Sequence, residues 1–182
     1  MTALLLIDVQ QGFKDLAHWG GARNNQLAEH NCKTLLETYR SKGLPVYHIQ
    51  HCSTNPNSPL HEDNPGNTLH ELVTPQGREP VIKKSVNSAF IGTQLDQKLA
   101  SEGINHVVIA GLTTDHCVST SVRMAANLGF ITTLIEDATA TFDKIGVDGT
   151  KYPAQLMHDT AIASLKDEFA NIETTQSWLE KL

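Results

Sequence analysis

Apolar positions along the chain follow two patterns, and their order predicts strands that alternate with helices. Apolar runs, typical of strands buried on both faces, occupy 3–9, where Asp8 is the one polar residue, and 107–110, and a further strand is predicted at 130–135. Other segments have an apolar residue at every third or fourth position, which predicts helices with one buried face. These helical segments lie at 27–39, 95–99, 118–126 and 154–165.

Three shorter strands are predicted at 45–51, 80–83 and 169–172, and a final amphipathic turn carries Trp178 and Leu179. Strands that alternate with helices favour a parallel sheet with helices on both faces. We therefore expect a three-layer α/β/α fold with a six-stranded sheet. No linker or internal repeat divides the chain, so residues 1–182 are predicted to form a single domain.

The segment 52–79 departs from this alternation, because it is long and contains four prolines. A loop of that length inside one domain is usually a lid, a binding loop or an arm that contacts another subunit. A passive surface excursion is the alternative.

Composition excludes several classes of partner. The chain has 182 residues and a net charge of −6, which argues against nucleic acid or an anionic membrane. No apolar run approaches the roughly 20 residues of a membrane-spanning helix. The three cysteines are far apart and include no pair at metal-ligand spacing, so we expect a reducing, cytoplasmic environment and no disulfide framework.

Candidate chemistry lies where predicted strands end. Asp8 follows the first strand, Lys84 the third and Cys117 the fourth. Ligands of open α/β sheets bind beyond the carboxyl ends of the strands, so we expect these side chains to share one edge. There a carboxylate can take the thiol proton while an ammonium group stabilises both anions.

Cys117 also stands at the predicted start of a helix, where the helix dipole and free backbone N–H groups favour a thiolate. From this position we expect the pKa of the Cys117 thiol to be lowered. For a lone cysteine, the alternative is a small buried core residue. The presence of Asp8 and Lys84 at neighbouring strand ends favours a catalytic cysteine over this alternative.

Four motifs, in order, together resemble the isochorismatase-like cysteine hydrolases. They are Asp8 with Gln10 ahead of Phe13, Lys84 six residues before Phe90, the run from Gly111 to Val118, and the run from Asp137 to Phe142. The resemblance extends over about residues 3–165. It implies a sheet in the order 3-2-1-4-5-6, with Asp8 as general acid/base, Lys84 as electrostatic partner and Cys117 as nucleophile. It also implies a cis peptide at Leu112–Thr113 and an oxyanion hole formed by the amides of Thr113 and Cys117.

By this resemblance the chain is a hydrolase without a cofactor, acting on a small-molecule amide or imide through a thioester. Nicotinamidases of the family carry an Asp-x-His pair after the second strand. In those enzymes the pair helps to bind a metal. Here the stretch around His51 has no such pair, so we predict no metal site, although His61 and His70 could bind a metal together with His51. Hydrolysis of an enol ether with Asp8 as acid is one alternative, and a non-catalytic thiol or ligand-binding domain is another.

Residues near the strand ends are candidates for contact with substrate. They are Phe13, Trp19, His51, His116 and Phe142. Ordinary core packing is the alternative for each aromatic side chain. Arg23 could clamp a substrate carboxylate or be a solvated cap residue. The resemblance also implies a homo-oligomer, a dimer or tetramer, with the 52–79 loop as a possible interface element.

Overall fold

The computed structural model describes residues 1–182 and contains eight strands and six α-helices. The strands are β1 (Thr2–Ile7), β2 (Val46–His51), β3 (Val81–Lys84), β4 (His106–Leu112), β5 (Ile131–Ala140), β6 (Lys144–Ile145), β7 (Lys151–Tyr152) and β8 (Asn171–Glu173). The helices are α1 (Leu16–Trp19), α2 (Ala28–Ser41), α3 (Leu95–Ser101), α4 (Ser119–Asn127), α5 (Ala154–Leu165) and α6 (Thr175–Leu179). Single 3₁₀ turns occur at Gln11–Lys14, Pro65–Asn67 and Glu71–Val73, and a π-helical turn at Thr114–Val118.

Six strands form the central sheet in the order β3-β2-β1-β4-β5-β8, and all its neighbours are parallel. Counted among sheet strands alone, this is the expected order 3-2-1-4-5-6. The three-layer α/β/α fold is thereby confirmed. The strand order reverses between β1 and β4, so the carboxyl ends of these strands flank the switch point.

Each face of the sheet packs into its own hydrophobic cluster. Along β1, Leu5 and Ile7 join the cluster that contains α4 and α5, whereas Leu4 and Leu6 join the cluster on α2. All four side chains are essentially inaccessible to solvent. Successive side chains of a strand point to opposite faces, which is why a continuous apolar run is needed here.

The 52–79 segment packs on the strand ends. Asn67, in its first 3₁₀ turn, donates hydrogen bonds to the carbonyls of His51 (2.9 Å) and Leu60 (2.7 Å). Gly66 lies against Gly12, where an added Cβ atom would stand 2.8 Å from the Gly12 Cα. Backbone contact this close requires glycine. The segment therefore forms one wall beside the end of β1.

Strand β5, the β6–β7 hairpin and helix α1 (Leu16–Trp19) differ from the sequence prediction, in which α1 is absent. Strand β5 continues five residues beyond the predicted end at Ile135, after a register shift against β4 between Ile109 and Gly111. The β6–β7 hairpin was not predicted, because strands of two residues are too short to show a period.

No helix of the structure has both the length and the apolar character needed to cross a membrane.

Candidate active site

The ends of β1, β3 and β4 bring together the three residues predicted from strand ends. Lys84 Nζ donates a hydrogen bond to Asp8 Oδ2 over 2.7 Å, and both side chains are buried. The Cys117 sulfur lies within 4.8 Å of the Asp8 carboxylate, and the charges of Asp8 and Lys84 both act on the thiol. Lys83, the neighbouring lysine, is exposed, because adjacent residues of a strand point to opposite faces.

The backbone around Asp8 is shaped by one close approach. Gly111 has φ +125°, and a Cβ atom there would stand 2.0 Å from the Ile7 carbonyl oxygen. Asp8 itself has φ +50°, a left-handed conformation that Asp adopts more readily than most residues. Gly111 therefore allows β4 to lie directly against the turn that presents the Asp8 carboxylate.

Burial governs the proton affinities of both acids at the site. It raises the pKa of Asp8 above its ordinary value, against the opposing attraction of Lys84. It also raises the pKa of the Cys117 thiol to about 12, and the negative charge of Asp8 adds to this effect. The expectation that the helix start lowers the thiol pKa is therefore wrong. Desolvation and the charge of Asp8 disfavour the thiolate more than Lys84 stabilises it.

The turn before Cys117 contains the cis peptide at Leu112–Thr113. The Thr113 carbonyl accepts hydrogen bonds from the amides of His116 (3.1 Å) and Val118 (3.2 Å), and the Cys117 amide between them does not join that carbonyl. The Thr113 amide likewise donates to no group of the chain. The Thr113 N–H thus remains for an external acceptor, and the Cys117 N–H does not engage the carbonyl that orders the turn.

Two contacts support this turn and were not anticipated from the sequence. Thr114 Oγ1 lies 3.0 Å from His158 Nδ1 on α5, and both residues are buried. Asp115 Oδ1 accepts a hydrogen bond from Thr141 Oγ1 over 2.5 Å. Thr141 lies within one of the family-like motifs, whereas nothing in the local pattern distinguishes His158 from other helical residues.

His51 enters the site directly. Its Nδ1 lies 3.1 Å from Lys84 Nζ. Burial, aided by the charge of Lys84, lowers the His51 pKa, so the imidazole is neutral at neutral pH and its Nδ1 accepts from the ammonium group. The ligand atoms of Asp8, His51 and Cys117 all lie within 4.8 Å of one another. His61 and His70, considered above as partners of His51, are outside this group.

The aromatic candidates form one cluster. The Phe13 ring lies 4.7 Å from Trp19 and 6.2 Å from Phe142, measured between centroids. Phe13 and Phe142 are buried in the core, whereas Trp19 is partly exposed and donates its indole N–H to the Gly12 carbonyl over 2.8 Å. Of this cluster, Trp19 presents the accessible surface. Contact of all three with substrate stays a prediction.

Two polar candidates have contrasting environments. The His116 side chain is 56% exposed and lies 3.7 Å from the Asp115 carboxylate. Arg23 is not a solvated cap residue, because its guanidinium forms a buried, bidentate ion pair with Glu29 at 2.8 and 2.7 Å. With both of these nitrogens occupied, Arg23 is poorly placed to clamp a substrate carboxylate.

Comparison with known proteins places this arrangement in a family. Residues 2–177 match the model of the isochorismatase domain. The isochorismatase family protein YrdC of Bacillus subtilis is 49% identical over 173 residues, which are 95% of this chain and 91% of YrdC. The crystal structure of an isochorismatase-family hydrolase from Chromobacterium violaceum superposes with a TM-score of 0.94 at 41% identity, covering 98% of this chain and 92% of that one.

Two further relatives carry names that state an activity. The secreted isochorismatase effector Isc1 of Verticillium dahliae is 31% identical over 96% of this chain and 88% of its own length. The ureidoacrylate amidohydrolase RutB of Caulobacter vibrioides is 30% identical over 76% of each chain.

Proposed function

Because this chain belongs to the isochorismatase family of hydrolases, we propose that it cleaves a small amide- or imide-type C–N bond through a thioester on Cys117. The observation that carries the proposal is the buried contact of Asp8 with Lys84, with the Cys117 sulfur within 4.8 Å of the Asp8 carboxylate. The relative named as an amidohydrolase supports the choice of bond.

Acylation begins with transfer of the thiol proton to Asp8. The pKa of the thiol is about 12, so the thiolate forms only when a base stands beside it. The raised pKa of Asp8 makes its carboxylate a stronger base than an ordinary aspartate. Transfer coupled to attack on the substrate carbonyl therefore avoids a free buried thiolate.

Attack on the carbonyl produces a tetrahedral oxyanion. We assign its binding to the amides of Thr113 and Cys117, because the Thr113 amide donates to no group of the chain and the Cys117 amide does not donate to the Thr113 carbonyl that orders the turn. Asp8, now protonated, gives its proton to the leaving nitrogen, and the C–N bond breaks. The Lys84 ammonium stabilises the Asp8 carboxylate at the start and end of this cycle.

In deacylation Asp8 acts as base towards water and as acid towards the sulfur. Asp8 takes a proton from water, the resulting hydroxide attacks the thioester carbonyl, and the proton returns to the sulfur as the acid product leaves. The side chains at the site and water account for every proton in the cycle.

A second candidate is hydrolysis of isochorismate or a related enol ether. The relative named as an isochorismatase effector favours it, and so does the raised pKa of Asp8, because a protonated carboxyl group can act directly as the acid. No covalent intermediate forms by this route. Cys117 then only lines the pocket.

One variant separates these candidates. We expect Cys117→Ala to abolish release of ammonia or amine from a panel of small amides, ureides and imides while leaving the fold intact. A transient acyl-enzyme detected by mass spectrometry would locate the thioester on Cys117. If Cys117→Ala keeps full activity towards isochorismate or a related enol ether while Asp8→Asn is inactive, the enol-ether route is established instead.

A non-catalytic thiol or ligand-binding domain is the remaining alternative. It predicts that no member of the panel is turned over. Turnover of any member that is lost in Cys117→Ala and kept in Cys52→Ser would count against it.

A further inference from the structure

The Lys84 ammonium lies among three side chains that are typical metal ligands. Its Nζ is 2.7 Å from Asp8 Oδ2 and 3.1 Å from His51 Nδ1, and the Cys117 sulfur lies within 4.8 Å of the ligand atoms of both of these residues. Carboxylate, imidazole and thiolate together form a donor set that suits Zn²⁺. The ammonium therefore lies close to the position that a metal ion bound by these ligands would take.

The spacing of the three ligands is close to that of a tetrahedral site. Zinc bonds of about 2.0 to 2.3 Å separate neighbouring ligand atoms by about 3.3 to 3.8 Å. Here the ligand atoms lie within 4.8 Å of one another, so small side-chain rotations bring them to bonding distance. Asp8 Oδ1 is also buried without any hydrogen-bond partner, which leaves an unused acceptor at the same place.

We propose that Asp8, His51 and Cys117 form a binding site for a soft divalent cation of the Zn²⁺ class, in competition with the Lys84 ammonium. Binding replaces the thiol proton, which leaves to solvent, by a metal–sulfur bond, and the ammonium moves away from Asp8. Since the site contains the sulfur that we propose as nucleophile, the bound ion blocks the hydrolase reversibly.

Competition follows from charge. A divalent ion beside a buried ammonium group is repelled strongly in an environment of low dielectric constant. The Lys84 ammonium has one hydrogen bond to a group outside the proposed ligand set, to the Val86 carbonyl at 3.1 Å. Replacing Lys84 by methionine removes the repulsion while keeping a side chain of similar length. We expect metal affinity to rise more than about tenfold in Lys84→Met.

Cobalt provides the test, because Co²⁺ bound to a cysteine sulfur gives a sulfur-to-metal charge-transfer absorption. We expect titration of the full chain with Co²⁺ to produce this band, more tightly in Lys84→Met than in the wild type, and Zn²⁺ to displace it. Cys117→Ser and His51→Gln should remove or strongly weaken the band. Cys52→Ser is the matched control, since Cys52 follows His51 in sequence but lies outside the ligand group, and it should leave the band unchanged.

The outcomes are independent of the proposed hydrolysis, because binding is read optically without substrate. A band in both proteins, reached at a lower Co²⁺ concentration in Lys84→Met, supports the proposal, whereas a band in Lys84→Met alone overturns binding by the wild type. Equal affinity in wild type and Lys84→Met overturns the competition, and a band that survives Cys117→Ser overturns the site. If circular dichroism shows that Lys84→Met does not fold, the wild type decides, and absence of a Cys117-dependent band overturns the proposal.

Discussion

Two sheltered carboxylates of this chain, Asp8 and Glu79, have opposite surroundings. Glu79 accepts two hydrogen bonds from Arg40 at 2.7 Å each, one at 2.9 Å from the Gln76 amide, and contacts His48 at 2.9 Å. Asp8 has one partner, Lys84, on Oδ2, and its Oδ1 has none. Both carboxylates lie next to a strand of the sheet, yet only one is fully satisfied.

Their proton affinities follow from this difference. Burial opposes ionisation of Glu79, but its hydrogen bonds with Arg40, Gln76 and His48 outweigh it and hold the pKa at about 2. At Asp8 burial outweighs Lys84 and raises the pKa. A carboxylate with four hydrogen-bond partners fastens the end of the 52–79 segment to α2, whereas a carboxylate left partly unpaired keeps a high affinity for protons, as acid–base chemistry requires.

The largest effect is expected from Asp8→Asn. The amide can neither accept the thiol proton nor donate one to the leaving group. The value of kcat/KM for a substrate found in the panel of amides, ureides and imides should therefore fall about a hundredfold or more. The free energy of unfolding at neutral pH should fall, because the buried Lys84 ammonium loses its counter-charge, so the kinetics are compared under conditions in which the variant is folded. Steady-state kinetics and urea titration measure the two quantities. Substantial activity in folded Asp8→Asn would contradict the assignment.

Glu79→Gln should lower stability without lowering activity. It breaks the ion pair with Arg40 and should lower the free energy of unfolding by about 2 kcal/mol, while kcat remains unchanged. The matched control is Glu37→Gln on α2, whose partner Lys33 lies 3.6 Å away on the surface. That change should cost less than about 0.5 kcal/mol. Equal losses in the two variants would show that Glu79 is no more important for stability than an exposed residue.

The two carboxylates should also separate activity from stability on acidification. Asp8 acts as a base only when ionised, so kcat/KM should fall tenfold per pH unit below its pKa, which lies above the ordinary value of 3.8. Glu79 stabilises the fold fully above its ordinary pKa of 4.5, and this contribution is lost as pH falls towards about 2. The chain should therefore lose activity reversibly while still folded.

Measurement of kcat/KM and of the free energy of unfolding over the same pH range tests this order of events. In Glu79→Gln the acid-induced loss of stability between pH 4.5 and about 2 should be smaller, and the pH profile of activity should not move. Coincident loss of activity and structure in the wild type would contradict the separation.

The contrast also explains what could be predicted from sequence. Asp8, Lys84 and Cys117 each follow a strand, and parallel strands bring their carboxyl ends to one edge, so their meeting follows from local patterns. The partners of Glu79 lie on other elements, and no periodicity reports which side chains meet across the fold. The thiol pKa was predicted with the wrong sign for the same reason, since burial depends on the whole fold rather than on position in a helix.

The smallest effect is expected at His158. Its variants distinguish support of the turn before Cys117 from general packing. Its Nδ1 lies 3.0 Å from Thr114 Oγ1, so His158→Phe should displace the turn slightly and lower kcat about tenfold with little change in KM. His106 is the matched control, because its Nε2 makes a similar contact with Thr133 Oγ1, at 2.9 Å, near the amino end of β4. His106→Phe should destabilise the fold to a comparable degree without lowering kcat. A comparable fall in kcat in both variants would mean that His158 acts through stability alone, and recovery of kcat in His158→Gln would confirm that the hydrogen bond positions the turn.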